Sequence, residues 1–394
     1  MSHPAELADQ SSFDAQLHLR LVFGSGSLNR LGELAADHGA GKVLLVTDPG
    51  IRAVGHVDRA LTSLNEANLS VVIYDQAKEN PTTECVMECA ELARQEGVDF
   101  IVGLGGGSSM DTAKGCNFLL TNGGQMKDYW GVGKASKPML PLIAIPTTAG
   151  TGSECQSFAL ISDAVTHAKM ACGDPKAMAK VAILDPELTL SQPSRVTACT
   201  GIDAVAHAVE SAVTRKRNET SQQYSRVAFG LLSQSLPTVL TNPNDVEARG
   251  LMLLGAAFAG TAIEHSMLGA AHSAANPLTA HFDVIHGQAV GMMLPHVVRF
   301  NGEDEVIAEA YAQLVKGTAA DSKNGDPAYE SLAGLLEYFM DAAGMPQDLA
   351  SCGVDASKID LLSEEAAAQW TASFNPRDIT ASDFTGLYSR AFGS

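Results

Sequence analysis

Up to about residue 190, short apolar runs alternate with stretches of helical length; beyond it the runs stop. Nothing else in the chain restricts its fold so much. The runs are LRLVF at 19–23, KVLLVT at 42–47, VVIY at 71–74, FIVGL at 100–104, LIAI at 142–145 and VAIL at 181–184. A continuous apolar run bounded by turn residues marks a strand buried on both faces. Residues 27–38, 84–96 and 110–120 read as helices between them. This alternation predicts a parallel sheet covered on both sides, with strand C-termini on one rim where ligands bind. From residue 191 the texture is helical, over 201–214, 220–236, 244–265, 305–314, 329–343 and from 381, punctuated by Pro193, Pro237 and Pro243. Two domains are expected, an α/β domain over 1–190 and an all-α domain over 191–394. A length of 394 residues also exceeds one comfortable core. Residues 1–17 read as a loose arm.

The formal charge of −19, with no basic cluster, excludes nucleic acid and anionic membrane surfaces as partners. The opening MSHPAELADQSSFD is polar and acidic, not a secretory signal, so a cytoplasmic protein is expected. The most apolar stretch, 250–275, is interrupted by Glu264, His265 and His272 and reads as a buried helix rather than a membrane span. Seven scattered cysteines without a CxxC spacing read as reduced, mostly buried thiols.

Residues 103–111, GLGGGSSMD, leave a strand and enter a helix. Glycines let a backbone close on a phosphate, and a helix N-terminus offers free N–H groups and the positive end of its dipole. Ser108 adds a hydroxyl. A tight strand-to-helix turn needs glycine in any case, and the spacing is not GxGxxG. Asp48 ends a strand; it can accept from an adenosine ribose and repel a 2′-phosphate, and it fits a cap or turn equally well. Residues 146–154, PTTAGTGSE, would bring hydroxyls and glycines to the same rim. In the helical half, Asp203 and His207 stand four apart at a helix start, among Ala, Val and Ile, so both face one side. Residues 262–297 hold five of the eleven histidines, His265, His272, His281, His286 and His296, in small apolar surroundings. A buried imidazole leaves a donor and an acceptor to satisfy, and a metal does so. His272 and His286 complete a set of three imidazoles and one carboxylate suited to Fe(II), Zn(II) or Mn(II). His265 and His296 read as satisfied core histidines. His3, His18, His38, His56 and His167 read as surface or loop residues.

Taken together these residues resemble the iron-containing, group III alcohol dehydrogenases. The matching blocks run in order from Phe23 to about Ala391: LVTD at 45–48, NPT at 80–82, GGGSSMDTAK at 105–114, IPTTAGTGSE at 145–154, GIDAVAH at 201–207, His286-Gly287 and LPH at 294–296. The resemblance implies an N-terminal α/β dinucleotide-binding domain followed by an all-α metal domain. It implies hydride transfer between NAD(H) and a small alcohol or aldehyde, with one divalent metal, Fe(II) or else Zn(II), on Asp203, His207, His272 and His286. It implies pyrophosphate on Gly106, Gly107 and Ser108, and cofactor contacts from Asp48, Asn80, Thr147, Thr148, Thr151 and Lys169. An aspartate at position 48 goes with NAD over NADP in the family, and homodimers or larger homo-oligomers are the rule. Glycerol dehydrogenase, maleylacetate reductase and a non-catalytic nucleotide- or metal-binding scaffold are the alternatives. One departure stands out. Many members carry a histidine four residues after the third ligand, where this chain has Asn276, and an amide does not exchange protons near neutral pH. His281 is a candidate substitute, and otherwise such a relay runs by another route or is absent.

Overall fold

The computed structural model describes residues 4–8, 10–165, 168–321 and 325–393; His3 and His167 lie outside them. The chain divides into two compact units, Met1–Thr148 with Gly152–Gln192, and Ala149–Thr151 with Pro193–Ser394.

The first unit is built on a seven-stranded sheet. Its strands are β1 (Phe13–Gln16), β2 (Arg20–Phe23), β3 (Lys42–Val46), β4 (Ser70–Tyr74), β5 (Phe100–Gly105), β7 (Leu142–Pro146) and β10 (Val181–Leu184). Its order is β1-β2-β10-β7-β5-β3-β4, parallel throughout except for β1. Register follows the apolar runs, with Val102 opposite both Leu45 and Ile143. Side chains alternate between two cores. Leu44, Val46 and Ile101 pack with Val86, Met110 and Phe118 on one face; Val43, Leu45 and Val102 pack with Leu31, Leu34 and Leu64 on the other. Burial on both faces explains why β3, β5, β7 and β10 read as unbroken apolar runs. Because β3, β5 and β7 are parallel neighbours, the segments following them share one rim.

One expectation for this unit is corrected. Within the supposed loose arm, β1 pairs antiparallel with β2. Asp14 in it accepts from Arg20 through two 2.8 Å bonds and lies 2.9 Å from Arg30. A four-residue edge strand held by charge carries no apolar run. A second sheet has the order β6 (Gly131–Val132), β9 (Lys169–Gly173) and β8 (Phe158–Ser162). One strand has two residues, and β8 mixes buried with exposed positions.

The second unit is helical: Ser194–Val213, Glu219–Thr241, Val246–His265, Ala270–Phe282, His286–Gly302, Glu305–Val315, Ala328–Ala342, Ile359–Ala368 and Ala381–Ala391. The first of these starts at Ser194 with Pro193 as its N-cap, not at Gly201. Asp203 therefore sits in mid-helix. Pro237 does not end a helix but lies inside one, as do Pro277 and Pro295. An internal proline forfeits a backbone bond at about 3 kcal/mol; fully buried neighbours such as Leu236 and Val239 offset it. Val246–His265 is long and apolar enough to cross a membrane, yet most of that stretch is buried inside the unit.

Candidate metal and cofactor sites

Three helices of the second unit converge on one carboxylate oxygen. Asp203 Oδ1 lies 3.5 Å from His207 Nε2, 3.3 Å from His272 Nε2 and 3.9 Å from His286 Nε2. Asp203 and His207 come from Ser194–Val213, His272 from the first turn of Ala270–Phe282, and His286 from the first residue of His286–Gly302. Asp203, His207 and His272 form a tight buried cluster. His286 stands at its edge with a third of its side chain exposed. Its ring lies 5.4 Å from that of His272, which stacks on His207 at 5.0 Å.

Close backbone approach brings these helices together. A Cβ on Gly287 would lie 2.1 Å from the carbonyl oxygen of Cys199, and one on Gly291 would lie between Met340 Sδ and Ile202 Cγ2, 2.6 Å from the latter. Both glycines face the Ser194–Val213 helix, and any larger residue would hold His286 off.

The residues present fit a metal ion. Among the described residues, Asp203 Oδ1 and His272 Nε2 are buried without a hydrogen-bond partner, although they stand close. Buried polar atoms are normally satisfied. Ligands about 2.1 Å from a tetrahedral ion stand roughly 3.4 Å apart, close to the spacings seen. Burial favours the neutral acid at Asp203, but the surrounding imidazoles outweigh it and hold the carboxyl well below its ordinary range. At His272 burial is likewise outweighed, here by Glu210 and Asp203, which push the imidazole up to about 9. His207 goes the other way, because burial exceeds the pull of Asp203.

Glu210, given no role from the sequence, is the buried neighbour of this cluster. It accepts from His272 Nδ1 at 2.5 Å and from the Ala271 N–H at 2.7 Å. Its spacing was the available signal: residues 203, 207 and 210 lie on one helical face.

Asn276 is half-buried and donates from Nδ2 to Gln369 Oε1 at 3.1 Å. His281 is exposed and meets Glu365 Oε2 at 2.8 Å. Two other histidine expectations are corrected. His265 is exposed, because its helix ends there. His56 is buried, with Nε2 at 2.8 Å from Ser191 Oγ and 3.1 Å from the Leu188 carbonyl. His296 is half-buried, and burial lowers it to about 4. His18 and His38 are half-buried and contact backbone carbonyls.

In the first unit, Gly106 caps the Gly107–Asn122 helix, whose first-turn N–H groups at Gly107 and Ser108 have no carbonyl four residues back. Gly105 has φ +150°, and a Cβ there would lie 2.5 Å from Ser109 Oγ. Asp48 Oδ1 caps the next helix by accepting from Ile51 N–H at 3.0 Å, while Oδ2 accepts from Ser109 Oγ at 3.3 Å. A Cβ on Gly106 would touch Thr148 Cγ2 at 3.5 Å. Asp48, the glycine turn and Thr148 therefore occupy one stretch of rim, beside buried Thr147. Asn80 adopts a left-handed φ of 50° and accepts from Lys169 Nζ at 3.5 Å, next to the small sheet. Thr151 groups with the helical unit.

Known proteins agree with this arrangement along its length. The family described as iron-containing alcohol dehydrogenase matches residues 19–186, and that described as Fe-containing alcohol dehydrogenase, C-terminal, matches 197–392. The NAD-dependent methanol dehydrogenase of Bacillus methanolicus is 34% identical over 370 residues, covering 94% of this chain and 97% of that protein. The 1,3-propanediol dehydrogenase of Klebsiella pneumoniae is 32% identical over 374 residues, covering 94% and 96%. The alcohol dehydrogenase structure from Oenococcus oeni superposes with a TM-score of 0.90 at 30% identity, over 96% of this chain and 99% of that one. The chain belongs to the iron-containing alcohol dehydrogenase family and is a metal-dependent, NAD-linked oxidoreductase acting on alcohols.

Proposed function

We propose that Asp203, His207, His272 and His286 hold one divalent ion, Fe(II) or alternatively Zn(II), and that the substrate is a small primary alcohol or its aldehyde. The observation that carries this reading is the convergence of three imidazole Nε2 atoms on a buried, unsatisfied carboxylate oxygen. When bound, such an ion supplies Lewis acidity to the substrate oxygen. The remaining work falls to the chain. Gly106, Gly107 and Ser108 hold the pyrophosphate of NAD(H) by backbone N–H groups and a hydroxyl. Asp48 takes the adenosine ribose and repels a 2′-phosphate. Thr147, Thr148 and Thr151, with Asn80 and Lys169, orient the rest of the cofactor. Asn276 is tied to Gln369 and cannot relay a proton, so the alcohol proton leaves by a path that does not use residue 276. Methanol and 1,3-propanediol in the names of two relatives favour short alcohols here.

The reading extends to a cytoplasmic homo-oligomer, a dimer or larger. All seven cysteines are free, which suits a reducing compartment, and the family resemblance implies assembly. The test is NADH oxidation by protein stripped of metal and reloaded anaerobically with Fe(II) or Zn(II), against short aldehydes and ketones. Metal-dependent turnover with a short aldehyde is expected. Turnover without metal, or with none of the panel, contradicts the reading.

A further inference from the structure

Glu210 is 3% exposed, and both its carboxylate oxygens are engaged. Oε2 accepts from His272 Nδ1 at 2.5 Å, and Oε1 accepts from the Ala271 N–H at 2.7 Å. The following turn is fitted to it, since a Cβ on Gly269 would stand 3.1 Å from Oε1. One buried side chain thus joins the last turn of Ser194–Val213 to the first turn of Ala270–Phe282. A neutral imidazole carries one donor and one acceptor. A carboxylate on Nδ1 keeps the proton there and leaves the lone pair on Nε2. That Nε2 is buried and has no hydrogen-bond partner among the described residues, 3.3 Å from Asp203 Oδ1. The geometry points to Glu210 as a positioning residue for the metal site: it fixes the tautomer and ring angle of His272 and adds a second negative charge behind the ion. This inference rests on the ligand reading above.

Outer partners of ligating histidines of this kind are worth about 10- to 100-fold in metal affinity. The test titrates Co(II) against a competing chelator in metal-free protein, without cofactor or substrate, for wild type, Glu210→Gln, Glu210→Ala and His272→Ala. Glu210→Gln keeps an acceptor for Nδ1 but loses the charge, and should weaken Co(II) binding about 10-fold. Glu210→Ala loses both and should weaken it about 100-fold. The visible bands of the bound Co(II) should shift in both, and the NADH dissociation constant should stay within about twofold of wild type, as in a folded protein. If Glu210→Ala does not fold, Glu210→Gln decides alone. Wild-type Co(II) affinity in Glu210→Gln, or equal loss of Co(II) and NADH binding, overturns the inference. His272→Ala separates the two failures. Weak binding there with wild-type binding in Glu210→Gln sinks Glu210 only; wild-type binding in both sinks the ligand set itself.

Discussion

At Asp48 one carboxylate oxygen accepts from the Ile51 N–H and the other from Ser109 Oγ, so the residue caps a helix and faces the glycine turn at once. The sequence left these two readings level, and the capping one is visible in the hydrogen bonds. Its proposed discrimination is separable, because glycine is tolerated at an N-cap at a cost of a few tenths of a kcal/mol. Asp48→Gly should therefore fold, and its NADH-over-NADPH ratio of kcat/KM should fall about 10- to 100-fold, as removing a like charge allows. An unchanged ratio would deny Asp48 that role. Glu154 ends the hydroxyl-rich loop and is 1% exposed, with neither carboxyl oxygen well bonded. Burial pushes its carboxyl from 4.5 up to about 7, against the pull of Lys114. A raised acid pKa means the folded state holds the proton longer than the unfolded one. The penalty is absent below about pH 4.5, grows above it and is complete above about 7, reaching roughly 3 kcal/mol. Urea unfolding of wild type and Glu154→Gln at pH 5 and 8 measures it: wild type should lose more stability between them. Parallel losses would mean that Glu154 ionises freely.

Elements were legible in the sequence where burial is uniform. β3, β5, β7 and β10 are buried along almost their whole length and read as unbroken apolar runs; β1 is half-exposed and polar and left no run to read, and the apolar FALI of β8 alternates between buried and exposed positions. Helix ends were less legible. His265 lies in an apolar stretch, yet the chain turns out of its helix there and exposes it. His56 opens an amphipathic helix, and only packing against Leu188 and Ser191 buries it. Glycines at helix contacts carry no sequence mark that separates them from turn glycines, although the site depends on one. Gly287→Ala would drive a methyl into the Cys199 carbonyl, costing about 1–3 kcal/mol and moving His286 away from Asp203. A lower urea midpoint together with weaker metal binding is expected. Unchanged values of both would show that the helices yield without cost.

For the whole molecule, the fold class was legible because two textures meet near residue 190: strands alternating with helices before it, helices alone after it. Of the candidate metal cluster, the i,i+4 pair Asp203 and His207 was legible by spacing, since both residues share one helix. Glu210 shares the helical face of that pair, but its partner His272 lies 62 residues further on and only tertiary packing unites them. His272 and His286 were marked in the sequence by residue type, and the folded helices bring them to Asp203. The central claim is that these side chains form one metal centre on which NAD-linked alcohol oxidation depends. Metal content and NADH-coupled turnover measured on the same preparations of wild type and His272→Ala test it most directly. One ion per chain is predicted in wild type, with metal and turnover lost together in the variant and the fold retained. A variant that keeps full metal and full turnover would contradict the account.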